Sequence, residues 1–224
     1  MSRIDELIKE LCPDGVEYRP LKDIGSWQGG GTPSKQRPEY WRDGTIPWVT
    51  SKDMGDLELA GTKYRITEAA VRGSAAKLLP PDSVAIVMRS GILKHTLPVS
   101  LVPFRTTVNQ DLRAVSCRDD VMPRYALHIL RANAERILAT CRKAGGTVES
   151  IDVRELMAFR IPVPPIEVQR EVAQILDTFT ELEAELEARL DAELEARRRQ
   201  YAHYRDLLLT FREGERESSV GSDG

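Results

Sequence analysis

The chain reads IEVQREVAQILDTFTELEAELEARLDAELEARRRQYAHYRDLLLTFR from Ile166 to Arg212, and this segment determines the architecture. Its apolar residues recur at alternating spacings of four and three, which is the a/d pattern of a coiled-coil helix. The first half of this seam comprises Val168, Val172, Ile175, Phe179, Leu182 and Leu186. Two further steps of four residues, from Leu186 to Leu190 and from Leu190 to Leu194, form a stutter, which locally unwinds a supercoil. The second half comprises Leu190, Leu194, Tyr201, Tyr204, Leu208 and Phe211.

Neither Pro nor Gly interrupts this segment, so the sequence predicts one continuous helix, about 70 Å long at about 1.5 Å per residue. A helix of this length cannot bury its whole seam against a domain formed by residues 1–165. The sequence therefore predicts that the seam packs against a partner helix.

Charge divides the chain into two parts. Residues 1–165 carry 24 Lys and Arg against 20 Asp and Glu, a balance of +4, whereas residues 166–224 carry 8 against 15, a balance of −7. The formal net charge of −3 hides this asymmetry. A mildly basic domain joined to an acidic helix indicates that any polyanion binds the domain rather than the helix.

The three cysteines and the hydropathy pattern predict a cytoplasmic location without a membrane partner. Cys12, Cys117 and Cys141 are odd in number and share no metal-ligand spacing, which is typical of a reduced chain. The longest apolar run, near Val84–Met88, is too short to span a bilayer, and the acidic N-terminus is unlike a signal peptide. The Ser-, Gly- and Glu-rich residues 213–224 are predicted to form a disordered tail that ends the chain naturally.

Short elements separated by turn residues fill the first three quarters of the chain. The pattern predicts an N-terminal helix ending before Pro13, an edge strand at Ile46–Thr50 because of Pro47, a helix capped by Thr67 and a buried strand at Ser83–Met88. Edge placement follows from the missing N–H of proline, which cannot donate to a second neighbouring strand.

A longer helix is predicted to begin at Asp119 or Asp120, with Pro123 in its first turn and Gly145-Gly146 at its end. Its apolar face comprises Ala126, Leu130, Ala134, Ile137 and Cys141. Asp152 with Glu155 resembles a capping pair, and Phe159–Val163 reads as a last strand. The predicted fold class is mixed α+β: an irregular, β-rich recognition domain over residues 1–163, and then one long coiled-coil helix over residues 164–212.

The residues that common enzymes use are absent from the sequence. There is no phosphate-binding loop of the form GxxxxGK[ST], no HExxH and no cluster of Cys and His for zinc. No acidic residue stands two positions before a lysine, as in many metal-dependent nucleases, and no Asn-Pro-Pro-aromatic motif of an amino-methyltransferase occurs. The sequence therefore predicts a non-catalytic protein with neither a cofactor nor a metal.

Four polar stretches follow the predicted short elements, and three of them contain Lys or Arg. Such loops can follow a phosphate backbone while side chains reach base edges. The candidate DNA-binding residues are Thr32, Ser34, Lys35 and Arg37, then Thr50, Ser51 and Lys52, and then Arg89, Ser90, Gly91, Lys94 and His95. The alternative is a flexible surface loop for the first group, a polar strand terminus for the second and a turn with solvated charges for the third. In the fourth stretch, Asn109–Asp111, bracing of neighbouring backbone is favoured over base contacts. The tryptophans and Phe104 are interpreted as core or loop anchors rather than stacking platforms.

Several motifs together resemble the specificity subunit of type I DNA restriction–modification systems, over residues 3–212. They are LCPDGVEY (11–18), GGTPS (30–34) with EYW (39–41), IPWVTSKDM (46–54), SAAKLLP (74–80), VNQD (108–111) and IPVPPIEVQR (161–170). The entry into the long helix through Ile-Pro-x-Pro-Pro is the most specific of them.

The resemblance implies a non-catalytic subunit that reads double-stranded DNA. In that family, long helices pack together and dock methyltransferase subunits, and a motor-nuclease subunit joins for restriction. Members usually contain two recognition domains and two helical regions, whereas this chain has one of each, so it is either a half-length subunit that dimerises or a fragment. The polar ending at residues 213–224 favours the half-length subunit. The competing hypothesis is a stand-alone homodimeric coiled-coil regulator, and a stand-alone methyltransferase or nuclease is disfavoured by the absent motifs.

Overall fold

A computed structural model describes residues 3–143 and 147–210 of the chain, which divides into two compact units, Met1–Leu176 and Asp177–Gly224. The strands are β1 (Tyr18–Pro20), β2 (Gly25–Gly29), β3 (Ile46–Val49), β4 (Tyr64–Ile66), β5 (Ser83–Val87), β6 (Val99–Val102), β7 (Thr107–Val108), β8 (Leu112–Cys117) and β9 (Arg160–Pro162). The helices are α1 (Arg3–Leu11), α2 (Glu68–Gly73), α3 (Pro123–Ala132), α4 (Ala134–Cys141), α5 (Val153–Ala158) and α6 (Ile166–Leu209). The predicted fold class is confirmed: short helices and irregular strands precede one long helix.

An antiparallel sheet in the order β2-β8-β5-β6 forms the centre of the first unit. All five residues of β5 are buried: four are apolar, and the Ser83 hydroxyl donates to the carbonyl of Pro80. α3 packs against β5, β6 and β8. A strand that is covered on both faces needs apolar side chains at every position rather than at alternate ones. The predicted buried strand is therefore confirmed.

A smaller sheet in the order β4-β3-β7 has its own core around Tyr40, Trp48 and Ile66. The prediction that Ile46–Thr50 is an edge strand was wrong, because β3 lies in the middle of this sheet. Pro47 is tolerated there because parallel pairing with β7 begins only at the next residue, where Trp48 pairs with Thr107. The Pro47 carbonyl accepts hydrogen bonds from the hydroxyls of Thr106 (2.9 Å) and Thr107 (3.3 Å).

The predicted long internal helix is two helices, α3 and α4, which are separated at Asn133. The Asn133 side-chain amide donates to the carbonyl of Ile129 over 2.8 Å, and this local hydrogen bond competes with continued helix. The start also differs, since α3 begins at Pro123 rather than at Asp119 or Asp120. The apolar face was predicted correctly at Leu130 and Ile137, both fully buried. The predicted terminator Gly145-Gly146 lies outside the described residues, and α4 ends at Cys141.

Thr67 and Asp152 cap their helices as predicted, but the Asp152–Glu155 pair is not reciprocal, because the backbone N–H of Asp152 donates to the carbonyl of Cys141 rather than to Glu155. The Thr67 hydroxyl accepts from the backbone N–H of Ala70 at the start of α2. The Asp152 carboxylate accepts from the backbone N–H groups of Arg154 and Glu155 at the start of α5, and these hydrogen bonds lower the pKa of Asp152 below its ordinary value.

The first and last strands meet on one antiparallel ribbon, in which β1 pairs with β9 and Tyr18 lies opposite Pro162. The chain enters the domain through β1 and leaves through β9, directly before Pro164-Pro165 and α6. Beside the ribbon, the backbone N–H of Val163 donates to the carbonyl of Glu17 over 2.8 Å. Entry and exit are thus adjacent.

The first turn of α6 is fixed to the first unit by Gln169, whose side chain is fully buried. Its amide oxygen accepts from the backbone N–H of Met122 (2.9 Å), and its amide nitrogen donates to the carbonyls of Asp120 (2.9 Å) and Pro164 (2.7 Å). Val168 is 1% exposed in the same turn, so it belongs to the core of its own chain. The prediction that Val168 belongs to the partner-facing seam is corrected accordingly.

From Phe179 onward the predicted seam of α6 is exposed along its whole described length. Phe179 is 61% exposed and Leu190 60%, and Leu182, Leu186, Leu194, Tyr201 and Leu208 are exposed as well. Ion pairs within the helix, among them Arg197–Glu193 and Arg199–Glu195 at i,i+4 spacing, support it locally. Phe211, Arg212 and the predicted disordered tail, residues 213–224, lie outside the described residues. Among the described helices, none has both the length and the apolarity to cross a membrane.

Candidate nucleic-acid interface

The four stretches singled out in the sequence emerge at the same edge of the two sheets. β2 and β5 end where β8 begins, since Gly29 pairs with Arg113 and Val87 pairs with Leu112. β3 ends beside β7, and the backbone N–H of Asn109 donates to the carbonyl of Val49 over 2.9 Å. We call the surface formed by residues 30–37, 50–53, 89–95 and 109–111 the polar edge.

Two glycines fix the base of the first loop. The backbone N–H of Gly31 donates to the carbonyl of Val108 over 3.1 Å, and a Cβ at Gly30 would lie 1.7 Å from the same carbonyl oxygen. Any larger residue at position 30 would separate the loop from β7. Glycine is therefore required here for close packing, and not for flexibility.

Indole groups fix the same loop from below. The Trp48 Nε1 donates to the carbonyl of Gly31 and the Trp41 Nε1 to the carbonyl of Ser34, each over 3.0 Å. The two rings meet edge to face, with centroids 5.2 Å apart. Both tryptophans thus anchor the loop, in agreement with their interpretation from the sequence.

Within this loop the candidate residues differ in their freedom. Lys35 is exposed, whereas Arg37 donates to the hydroxyl of Tyr40 over 2.7 Å and lies over the Tyr40 ring. The Thr32 hydroxyl is hydrogen-bonded to the side chain of Gln110. Of these residues, Lys35 is therefore the one whose charge is most available to a polyanion.

The second loop is built around the carboxylate of Asp53. This group accepts from the backbone N–H (2.8 Å) and hydroxyl (2.7 Å) of Thr50 and from the backbone N–H of Lys63 (3.0 Å). The Thr50 hydroxyl is therefore committed to the fold. The exposed side chain of Lys52 and the half-buried Ser51 are the members of this loop that can meet a ligand.

A groove of about 680 Å³ lies between these loops. Lys35 and Lys52, one from each loop, line this groove. Its aromatic rings are those of Trp48 and Tyr64, on the small sheet, and of Trp41, which precedes β3. The lining residues are Lys35, Pro38, Trp41, Trp48, Thr50, Ser51, Lys52, Tyr64, Asn109 and Asp111. Tyr64 was not anticipated from the sequence, although an exposed tyrosine on a three-residue strand is a signal of a surface role.

The third stretch is joined to this groove by an ion pair between Arg89 and Asp111, with 2.7 Å between Nη2 and Oδ1. Asp111 is braced by Asn109, whose amide nitrogen donates to Oδ2 over 3.1 Å and whose amide oxygen accepts from the backbone N–H of Asp111 over 3.1 Å. The bracing role favoured for Asn109–Asp111 agrees with this geometry.

The rest of the third stretch forms a short 3-10 helix, Gly91–Lys94. The Ser90 hydroxyl caps this helix by accepting from the backbone N–H of Ile92, so Ser90 has a structural role. A Cβ at Gly91 would meet no atom within 4 Å, so the fold does not require glycine there. Lys94 and His95 are exposed, and among residues 3–143 and 147–210 no hydrogen bond or ion pair joins their side chains to the groove.

A second cavity of about 590 Å³ lies near the start of α6 and contains none of the predicted DNA-binding residues. It includes Arg19 and Asp120, which form a hydrogen-bonded ion pair that lowers the pKa of the Asp120 carboxyl below its ordinary value. Three of its charged groups, Glu17, Arg19 and Asp120, are thus paired with each other. In the described part of the chain, no cluster of His, Cys, Asp and Glu could hold a metal ion.

Comparisons with known families and proteins converge on one group. Residues 13–196 match the family described as "Type I restriction modification DNA specificity domain". The specificity subunit of the type I restriction enzyme EcoR124I/EcoR124II from Escherichia coli is 43% identical over 204 residues, which cover 91% of this chain and 50% of that protein. The EcoprrI specificity subunit from Escherichia coli is 33% identical over 228 residues, which cover 97% and 55%. The chain thus spans about half the length of these relatives.

Two solved structures share the fold. A chain from a structure titled as the basis of complex assembly and conformational transition of the type I R-M system superposes with a TM-score of 0.64, at 22% identity, covering 91% of this chain and 50% of that one. The HsdS subunit from Thermoanaerobacter tengcongensis superposes with a TM-score of 0.58, at 21% identity, covering 82% and 44%.

Proposed function

The chain belongs to the type I restriction–modification DNA specificity family, and from this premise we propose that it reads double-stranded DNA as a non-catalytic subunit and positions adenine methyltransferase subunits at a bipartite site. The observation that carries the proposal is the convergence of the four polar stretches on the polar edge. Lys35 and Lys52 are exposed there in the walls of one groove, and the exposed Arg89 is joined to this groove through its ion pair with Asp111.

These residues suit two different tasks. Lysines are compact charges without directional preference, so Lys35 and Lys52 bind phosphates and orient the domain on the duplex. Arg89 and Ser51 can form directional hydrogen bonds with base edges in the major groove. Phosphate contacts supply affinity that falls with salt, and base contacts supply selectivity.

The exposed seam of α6 fits a second copy of the chain. A parallel pair would place the acidic stretch Glu181–Glu195 beside its own copy, and like charges in this position repel. An antiparallel pair centred on Leu190 would instead bring Arg197–Arg199 beside Glu181 and Glu183 and would match Leu186 with Leu194. Both the opposite charges and the match of the apolar residues therefore favour the antiparallel arrangement. Methyltransferase subunits dock on the resulting helical pair.

Such a pair has two-fold symmetry, so the two half-sites are inverted repeats. The helix is about 66 Å long at about 1.5 Å per residue, which limits the centre-to-centre distance of the half-sites to roughly 20 base pairs at about 3.4 Å each. The spacer length is fixed because a helical pair does not stretch.

The test is selection of bound duplexes from a randomised library by the purified full chain, followed by sequencing. We expect an inverted repeat with a single spacer length. Lys52→Ala should weaken binding to selected and random duplexes alike and reduce the salt dependence by about one phosphate contact. The matched control is Lys22→Ala, since Lys22 precedes β2 and lies at the strand end opposite the first loop. No enrichment of any sequence would contradict DNA reading, and an asymmetric site would favour a fragment or pairing with a different specificity chain.

Deletion of the gene separates the proposed function from the regulator hypothesis. If the chain positions a methyltransferase, adenine methylation at the selected sequence disappears from the genome of the deletion strain. If methylation is unchanged while the purified protein still selects DNA, the chain acts without the enzyme partner.

A further inference from the structure

The ion pair between Arg89 and Asp111 has a geometry that leaves one edge of the guanidinium open. Both Nε and Nη2 of Arg89 lie 2.7 Å from the same carboxylate oxygen, Oδ1 of Asp111. The outer N–H groups of Nη1 and Nη2 point away from this contact, and among the described residues none accepts a hydrogen bond from Nη1. These two outer groups form the planar fork that matches the O6 and N7 acceptors of guanine.

The backbone under this side chain is fixed on both sides. The carbonyl of Asp111 accepts from the N–H groups of Met88 (2.7 Å) and Arg89 (3.2 Å), and the N–H of Ser90 donates to the carbonyl of Glu149 over 3.1 Å. Arg89 therefore starts from a defined position at the end of β5, and the direction of its side chain depends on the Asp111 carboxylate.

The Asp111 carboxylate is itself fixed. Its second oxygen, Oδ2, accepts from the amide of Asn109, which is 6% exposed and in turn accepts from the backbone N–H of Asp111. The Asp111 side chain is 21% exposed, whereas that of Arg89 is 55% exposed. A braced, shielded carboxylate thus positions an arginine that solvent, or a DNA base, can reach.

We propose that Asp111 is a positioning residue that orients Arg89 to read a guanine in each half-site. This inference rests on the proposed function and adds the identity of a base and of the pair that recognises it. A surface ion pair contributes little to stability, so a purely structural role would explain neither the braced carboxylate nor the open fork. A phosphate contact would not need the fixed orientation, because a phosphate accepts hydrogen bonds from many directions.

The experiment uses the full chain and the same randomised library. The unmodified protein should prefer guanine at one position of each half-site by roughly tenfold or more. Asp111→Asn keeps the size of the side chain but removes the charge, and Arg89→Lys keeps the charge but removes the fork. Each variant should reduce the preference at that one position to roughly threefold or less, while the other positions and the spacer are unchanged.

Glu68→Gln is the matched control, since Glu68 forms an ion pair with Arg105 over 3.1 Å and Arg105 is 56% exposed. This variant should keep the full guanine preference. An unchanged preference in either Asp111→Asn or Arg89→Lys would overturn the inference, as would an equal loss of affinity for selected and random duplexes, which indicates a phosphate contact. If Asp111→Asn unfolds in a thermal scan, Asp111→Glu takes its place, because it keeps the charge but displaces the carboxylate, and it should lower the guanine preference in the same way. Failure of the unmodified protein to select any sequence would instead overturn the proposed function.

Discussion

The first turns of α6 and the turns after Phe179 follow the same heptad spacing, yet they differ completely in burial. Val168 is 1% exposed, whereas Phe179 and Leu186 are 61% and 57% exposed. The spacing determines which face of a helix is apolar. Whether that face is covered within the chain depends on residues that are distant in the sequence, such as Met122 and Asp120 beside Gln169.

The largest effect is expected from adding charge to the exposed part of the seam. Phe179→Asp with Leu182→Asp should weaken self-association by at least about 3 kcal/mol, or more than about 100-fold in the dissociation constant, because two apolar side chains lose their burial in the dimer. Ala184→Asp with Ala188→Asp adds the same charges to the opposite face and should leave the dimer intact. Sedimentation equilibrium measures both. A monomeric unmodified protein at micromolar concentration would show that no second copy covers the seam.

The next effect contrasts two leucines. Leu130→Ala in α3 should lower the free energy of unfolding of the recognition domain by about 3–5 kcal/mol, because Leu130 is fully buried and its loss leaves a cavity. Leu186→Ala should leave the unfolding of this domain unchanged. Urea denaturation followed by tryptophan fluorescence reports on the domain, since Trp27, Trp41 and Trp48 all lie in it. Equal destabilisation by both variants would mean that the two regions unfold as one cooperative unit.

Gln169→Leu tests the buried first turn of α6. It should lower the free energy of unfolding by about 2–4 kcal/mol, because the buried N–H and carbonyl groups that are hydrogen-bonded to Gln169 lose their partner. Gln200→Leu, on the exposed part of α6, is the matched control and should have almost no effect. The same urea denaturation decides. A neutral Gln169→Leu would mean that other hydrogen bonds replace those of the amide.

The smallest effect concerns the acidic cap of α5. The folded state lowers the pKa of Asp152, so its charge stabilises the fold at pH values above the unfolded pKa of about 3.9, and this contribution is lost as the pH falls through the lower folded value. Asparagine also caps helices but does not titrate. The melting temperature of Asp152→Asn should therefore lie below that of the unmodified protein at pH 7, and the difference should shrink near pH 3. A difference in melting temperature that does not change with pH would show that the charge of Asp152 does not cause the stabilisation.

Local features were predictable from the sequence, and non-local pairings were not. The caps at Thr67 and Asp152 and the buried strand β5 depend on neighbouring residues, and each was predicted correctly. The central position of β3 depends on pairing with Thr107 and Val108, about sixty residues away, and the proline rule alone gave the wrong answer. The break at Asn133 is local, but the helical periodicity continues across it and hides it.

The candidate site follows the same division. The loops that form the polar edge were identifiable from their composition, because glycine, lysine and hydroxyl residues interrupt apolar strands. The sequence could not show which of their side chains the fold already uses. Arg37 binds Tyr40, and Thr50 binds Asp53, whereas Lys52 remains available. Nor does it show that Arg89 and Asp111, which are 22 positions apart, form one unit.

The β1–β9 ribbon makes the recognition domain an exchangeable cassette. Because the chain enters at Tyr18–Pro20 and leaves at Arg160–Pro162 on adjacent strands, a different set of loops and strands could replace most of residues 21–159 without moving the start of α6, provided that the backbone groups of Asp120 and Met122 that hold Gln169 are kept. Recombination at the two short stretches that encode the ribbon would then transfer a complete DNA preference in one step. Exchange at the ribbon would thus change the DNA sequence that is bound, while the sequence of α6 stays the same.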